Sequence, residues 1–133
     1  YADIIDKDLP DDIDGISFLP TLLGKNEQKK HKYLYWEFHE KKGRVAIRKD
    51  SWKGIRYNVS VDNNSPLELY DLSNDIGEEN NIASNHPDIV NELDNLLLKA
   101  RSVSPISRFN FPQRGKNIIQ WEKNNNEKDR NNK

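Results

Sequence analysis

Between residues 33 and 39 the side chains alternate. Leu34, Trp36 and Phe38 fall on one side of an extended chain, and Tyr33, Tyr35, Glu37 and His39 fall on the other. Lys41-Lys42-Gly43 then turns the chain. Residues 44–49 and 52–57 predict a hairpin about Asp50-Ser51. Val45 and Ile47 share a face with Ile55 or with Trp52, according to the register. Residues 59–66 are an Asn/Ser loop, and 67–72 read as a fourth strand. The period changes over residues 87–101, where Ile89, Val90, Leu93, Leu96, Leu97 and Ala100 make a helical stripe. Asn85 or His86 caps this helix, Asp88 suits its positive start, and Lys99 and Arg101 suit its end.

The flanks are weaker. Residues 1–16 have no apolar period. Residues 17–24 predict a short helix with Ser17 as cap, Pro20 in its first turn and Gly24 closing it in a left-handed conformation. Phe18, Leu19, Leu22 and Leu23 form its apolar patch. Residues 25–32 are a charged connector. Past the long helix, Phe109, Phe111, Ile118, Ile119 and Trp121 anchor an extended tail, and residues 124–133 are expected to be mobile. The fold class expected is therefore α+β: a small four-stranded antiparallel sheet packed against one C-terminal amphipathic helix, with extended terminal segments. Its parts are a junction segment at 1–32, a sheet-plus-helix subdomain at 33–101, and a polar tail at 102–133. The helix covers one face of the sheet. What covers the other is open, because Tyr33, Tyr35 and the 17–24 patch also call for burial.

Composition narrows the picture. In 133 residues the apolar fraction is 34% and mean hydropathy is −1.00, so any core is small. Twenty-one basic residues against 22 acidic ones leave a net charge of −1, which gives no overall case for nucleic-acid or membrane binding. Residues 1–24 hold six Asp against one Lys, whereas the hairpin is basic. With no Cys there is neither disulfide nor thiolate metal site. With no Met and a start at Tyr1, the chain reads as an excised fragment. Asp12-Ile13-Asp14-Gly15 resembles the middle of a calcium loop, but the register fails: Pro10 and Thr21 would stand where carboxylates are needed. Asn58-Val59-Ser60 and Asn63-Asn64-Ser65 are formal glycosylation sequons in an Asn-rich chain and carry little weight.

The run LELYDLSNDIGEENNIA at 67–83, followed by Asn85-His86-Pro87-Asp88, resembles the end of the sulfatase family. There a strand reading E-L-Y-D-L leads into D-P-x-E-x-x-N-L-A. Asp14-Gly15-x-Ser17-Phe18-Leu19-Pro20 with Leu23-Gly24 resembles the family's D-G-x-S-x-L-P-L-L-x-G segment. YWEFHE at 35–40, GRVAIR at 43–48 and WKGIR at 52–56 resemble the strands of its smaller domain. The pieces keep the family's order from about Asp12 to Arg101. Ile76 replaces a usual Pro, and Ile82 a usual Leu.

The resemblance implies a parent enzyme that hydrolyses sulfate esters, with sulfated glycans as the candidate substrate class, using calcium and a formylglycine matured from C/S-x-P-x-R. The nearest approach to that motif is Val103-Ser104-Pro105-Ile106-Ser107, which lacks both the nucleophile and the Arg. No catalytic residue and no metal ligand is therefore assigned, and the chain alone is expected to be inactive. The implied partners are a catalytic domain of the same protein and a sulfated substrate, and the implied setting is exported or lysosomal. Self-association through 17–24 is expected if the apolar patch finds no partner. Candidate substrate-binding residues are His39, Arg44, Arg48 and Lys53, which can donate charge-assisted hydrogen bonds to sulfate or carboxylate. Against them stands an ordinary solvated or ion-paired face, to which Arg56 also belongs. Trp36 and Trp52 can stack on a sugar, although core packing is the commoner use. The rival function is a stand-alone module that binds anionic polysaccharide or nucleic acid through the basic hairpin.

Overall fold

The computed structural model describes residues 2–8, 10 and 13–112. The chain divides into two compact units, Tyr1–Lys32 and Tyr33–Lys133. The tail expectations for Ile118, Ile119, Trp121 and 124–133 lie outside the described residues.

In the first unit, Ala2–Ile4 forms a 3-10 turn and Leu19–Leu22 a single helical turn, α1. Phe18, not Ser17, is the residue before α1, and the Ser17 hydroxyl accepts from the Leu19 N–H at 3.3 Å. Gly24 closes the turn with a positive φ of 66°, as its lack of Cβ permits. Phe18, Leu22 and Leu23 stay more than half exposed.

The second unit holds β1 (Leu34–Phe38), β2 (Arg44–Lys49), β3 (Trp52–Tyr57), β4 (Leu67–Asp71) and α2 (Pro87–Ala100). The strands form one antiparallel sheet in sequence order, so each pairs with its neighbour in the chain. Asp50, with φ 54°, makes the two-residue turn between β2 and β3. The β1–β2 turn uses positive φ at Lys41, Lys42 and Gly43. Gly43 has a second constraint. A Cβ there would meet Ser60 Oγ at 2.5 Å, Phe111 Cε1 at 2.6 Å and Val59 Cγ2 at 2.9 Å.

The register settles which residues share a face. Ile47 pairs with Gly54 and Lys49 with Trp52, so Val45 and Ile47 lie with Trp52 and not with Ile55. On this side Val45, Ile47, Leu67 and Leu69 meet Leu93 and Leu97 of α2. Gly54 lets the helix come close: a Cβ there would stand 3.3 Å from Leu93 Cδ1. Tyr33, Tyr35 and Trp52 pack at the margin of the same core. β1 thus turns Tyr35 toward the helix, and Tyr33 just before the strand packs on the same side. The strand leaves Leu34, Trp36 and Phe38 on the open side, at 38, 46 and 46% exposure. The expected core packing holds for Trp52 and fails for Trp36. In strict alternation two apolar sets compete for one core, and here the tyrosines win because the Glu37 network described below ties their face to the end of α2.

Two core residues lie outside any strand or helix. Val59, 1% exposed, sits in the Asn/Ser loop, and its N–H bonds to the Gly43 carbonyl at 3.3 Å. Phe111, 4% exposed, closes the core from the segment after α2. Ile76, at the family's usual Pro position, is 82% exposed. Ile82 packs on the core, and its N–H bonds to Leu69 O at 2.9 Å.

Leu93→Ala should destabilise the unit by roughly 2–5 kcal/mol, because the sheet beneath cannot collapse into the void. Asn95→Ala, on the exposed side of α2, should change stability by less than about 0.5 kcal/mol. Urea unfolding of the two variants checks this. Equal losses would mean that α2 faces the sheet differently.

Candidate functional site

The hairpin cations separate into two sets. Arg44, Arg48 and Lys53 lie on the open face of the sheet, where Arg48 and Lys53 are direct cross-strand partners. Arg44 stands between Phe38 and Tyr57, its partners on either side. Its guanidinium carbon lies 5.7 Å from the Phe38 ring centroid and 5.4 Å from that of Tyr57, within cation–π range. Lys53 forms an ion pair with Glu78. Arg48 donates through Nε to the Asp50 carbonyl at 3.1 Å. A hollow of about 340 Å³ lies over this face, lined by Trp36, Phe38, Arg44, Lys53, Ile55 and Tyr57 among others.

His39 is not with them. It follows β1 on the helix side, where its Nε2 pairs with Glu37 at 3.0 Å. Its ring stacks on Phe111 with centroids 4.3 Å apart and meets Phe109 edge-on at 5.5 Å. Glu37 is the hub. Besides His39 it accepts from the Tyr35 hydroxyl and from Arg101 Nε at 2.7 Å. Arg101 also lies over Phe111, 5.3 Å from its centroid. Phe111 is therefore held between His39 and Arg101. Burial, and then the bond to Glu37, pushes the Tyr35 phenol far above its ordinary range, so it remains a donor. The four candidate residues thus form one group of three cations on the open face and one histidine at the far side of the sheet.

Arg56 and Lys49 lie on the helix side, where Lys49 forms an ion pair with Glu92 of α2 and Arg56 goes deeper. Arg56 is buried there and pairs with Asp94 of α2 at 2.7 Å. This ion pair spans sheet and helix and is a fixture of the core. His86 lies before α2 without a side-chain capping bond, its ring 5.3 Å from that of Trp52.

The turn after β4 is built on two aspartates. Asp71 accepts from the Ser73 hydroxyl, the Asn74 amide and the Ser73 N–H. Asp75 accepts from the N–H groups of Asn80 at 2.9 Å and Glu79 at 3.1 Å. These bonds stabilise the ionised carboxylates and hold both below the ordinary range, the Ser73 hydroxyl being the main cause at Asp71 and the Asn80 N–H at Asp75. Asn81 completes the turn, its Oδ1 accepting from Leu69 and Ala83 N–H.

No trio of His, Cys, Asp or Glu among the described residues is grouped to hold a metal ion, and the sequence has no Cys. The described residues do not fit a calcium or formylglycine centre, so no chemical step is derived through either. No described helix is long and apolar enough to cross a membrane. Sequence reasoning missed Tyr35, Glu37 and Arg101 as a network. The signal available was a carboxylate inside an otherwise apolar strand, which needs partners once buried.

The family described as N-sulphoglucosamine sulphohydrolase, C-terminal, matches residues 1–103. Arylsulfatase K of Bos taurus is 34% identical over 131 aligned residues, covering 91% of this chain and 22% of that protein. N-acetylgalactosamine-6-O-sulfatase of Bacteroides thetaiotaomicron is 34% identical over 108 residues, covering 72% of this chain and 20% of that protein. A solved 2-O glycosaminoglycan sulfatase superposes with a TM-score of 0.62 at 29% identity, over 74% of this chain and 22% of that one. The chain belongs to the sulfatase family and corresponds to its C-terminal part. It spans about a fifth of the length of the curated relatives it matches.

The aspartate turn has a pH consequence with a definite sign. A carboxylate whose folded pKa is lowered contributes stability above its unfolded value, about 3.9, and loses it as pH falls through the lowered value. The midpoint of thermal unfolding should therefore fall as pH drops below about 4. A double variant Asp71→Asn, Asp75→Asn should show a flatter profile over the same window. An unchanged profile would remove the turn from the account.

Proposed function

We propose that this chain is the C-terminal subdomain of a sulfatase that hydrolyses sulfate esters of glycans. Its role is to complete the fold and to shape the substrate pocket without supplying the chemistry. The family match over residues 1–103 carries this reading. The relatives' names add the substrate class, since one acts on N-acetylgalactosamine 6-O-sulfate and a solved neighbour on a glycosaminoglycan. Catalysis, with the calcium and formylglycine of the family, belongs to a catalytic domain. Such an enzyme is exported or lysosomal, as sulfated glycans are.

Arg44, Arg48, Lys53 and His39 are the residues proposed to bear on substrate. Arg44 and Arg48 are the better placed, since neither is ion-paired to a carboxylate in the described structure, whereas Lys53 is held by Glu78. The same fact weighs against a stand-alone polyanion binder. Of the hairpin's cations, Lys49, Lys53 and Arg56 already have carboxylate partners.

The 133-residue chain assayed with an aryl sulfate and calcium should give no turnover above a heat-killed control. A fusion in which this chain replaces the matching stretch of the Bacteroides N-acetylgalactosamine-6-O-sulfatase should release sulfate from a sulfated glycan. Arg44→Ala with Arg48→Ala in that fusion should raise KM by about tenfold, the loss of roughly 1.4 kcal/mol of charge-assisted binding. An unaltered KM would leave these cations without a substrate role.

The exposed Phe18, Leu22 and Leu23 are proposed to mediate self-association of the isolated chain. Sedimentation should show concentration-dependent dimers that a Leu19→Asp, Leu22→Asp variant lacks. Identical monomers for both would refute it.

A further inference from the structure

On the helix side of the sheet, a hollow of about 280 Å³ opens between the end of α2 and the segment that follows it. Val45, Arg56, Leu97 and Phe111, at 8, 5, 5 and 4% exposure, make its floor, and Leu98 and Val103, at 53 and 73%, make its mouth. The hollow thus runs from an apolar rim down to core residues. Two arginines of its wall have donors to spare. Arg56 Nε and Arg101 Nη2 are shut off from solvent, and neither has a hydrogen-bond partner among the described residues. An unpaired buried N–H is costly, and more so on a charged group. The charges themselves are balanced, because Arg56 is paired with Asp94 and Arg101 with Glu37. A further anion would stand uncompensated beside those two carboxylates. A neutral acceptor suits the wall better. Asn63, on the same wall, donates through Nδ2 to the Pro112 carbonyl, which leaves its Oδ1 to accept.

We propose that this hollow binds the acetamido group of an N-acetylated amino sugar. On binding, the two guanidinium groups turn Arg56 Nε and Arg101 Nη2 onto the acetamido carbonyl oxygen. Asn63 Oδ1 accepts from the acetamido N–H, and the methyl group lies against Val45 and Leu97. The wall supplies two donors for one neutral oxygen, one acceptor and an apolar floor, which together match a secondary amide with a short alkyl end. A sulfate or carboxylate has no N–H to give Asn63 and adds a charge that nothing balances. A sugar without the acetamido group leaves the apolar floor uncovered. The choice of a sugar as carrier rests on the reading of the parent enzyme as acting on glycans, whereas the match to an acetamido group does not.

An NMR titration of the isotope-labelled 133-residue chain tests it, with N-acetylglucosamine as the probe. The side-chain Nε–H signals of Arg56 and Arg101 should shift and saturate. Glucose and inorganic sulfate, at the same concentrations, should give no saturable shift at these signals. Val103→Trp fills the mouth from an exposed position and should abolish the saturable shift without lowering the thermal midpoint. Arg101→Lys keeps a cation beside Glu37 but has no Nη2, and should weaken binding by about tenfold. No saturable shift, or undiminished binding by a folded Val103→Trp or Arg101→Lys chain, would overturn the site and leave the sulfatase reading intact. Should Arg101→Lys fail to fold, Val103→Trp decides alone. Saturable binding of sulfate would make the hollow an anion site and overturn the proposal. Tighter binding of N-acetylalanine methylamide than of N-acetylglucosamine would assign the hollow to a peptide and overturn it as well.

Discussion

One helix cannot cover both sides of a sheet. Everything in the second unit follows from which side α2 takes. The Arg56–Asp94 pair and the burial of Leu93 and Leu97 fix α2 on the side of Val45, Ile47, Leu67 and Leu69. Gly54 permits the approach by offering no side chain at the point where Leu93 lands. Once that choice is made, period-two alternation assigns every other residue of four strands to one face or the other. Tyr33 and Tyr35 go to the helix side, and Leu34, Trp36 and Phe38 of β1 go outward.

The polar hub at Glu37 reinforces that choice. A carboxylate on a half-covered strand must be paired or it destabilises the fold. Tyr35, His39 and Arg101 supply the partners, and each comes from a different point along the chain. Arg101, at the end of α2, thereby ties the helix terminus to the edge strand. Phe111, between His39 and Arg101, brings the following segment into the same cluster. His39 takes part in this arrangement on the helix side, while Arg44, Arg48 and Lys53 lie on the opposite side of the sheet.

Much of this was legible in the residues. The strands alternate cleanly, the α2 stripe has the period of a buried helix, and the short motifs stand in the order of the family. The choice of face for β1 was not legible, because Leu34, Trp36 and Phe38 are a better apolar set than Tyr33 and Tyr35 on hydropathy alone. The partners of Glu37 decide it, and Arg101 comes from the far end of α2. Val59 was hidden for another reason. A lone Val in an Asn/Ser loop has no periodic company, and only the close approach of Gly43 shows why it is buried. Arg56 looked like its neighbours on the hairpin until the register placed it opposite Asp94. Of the candidate site, residue types that suit an anion were legible, but the placing of His39 and Arg44 on opposite faces was not, since it follows from the strand register.

The asymmetry of the two faces is the claim on which the rest depends, and a paired stability measurement on the isolated chain reaches it directly. Ile47→Ala removes a fully enclosed side chain from the helix side and should cost roughly 2–5 kcal/mol. Trp36→Ala removes a larger side chain from the open side and should cost less than about 1 kcal/mol, because nearly half of it already faces water. A Trp36→Ala loss equal to or greater than that of Ile47→Ala would show that the open face is a core, and the assignment of the two sides would be wrong.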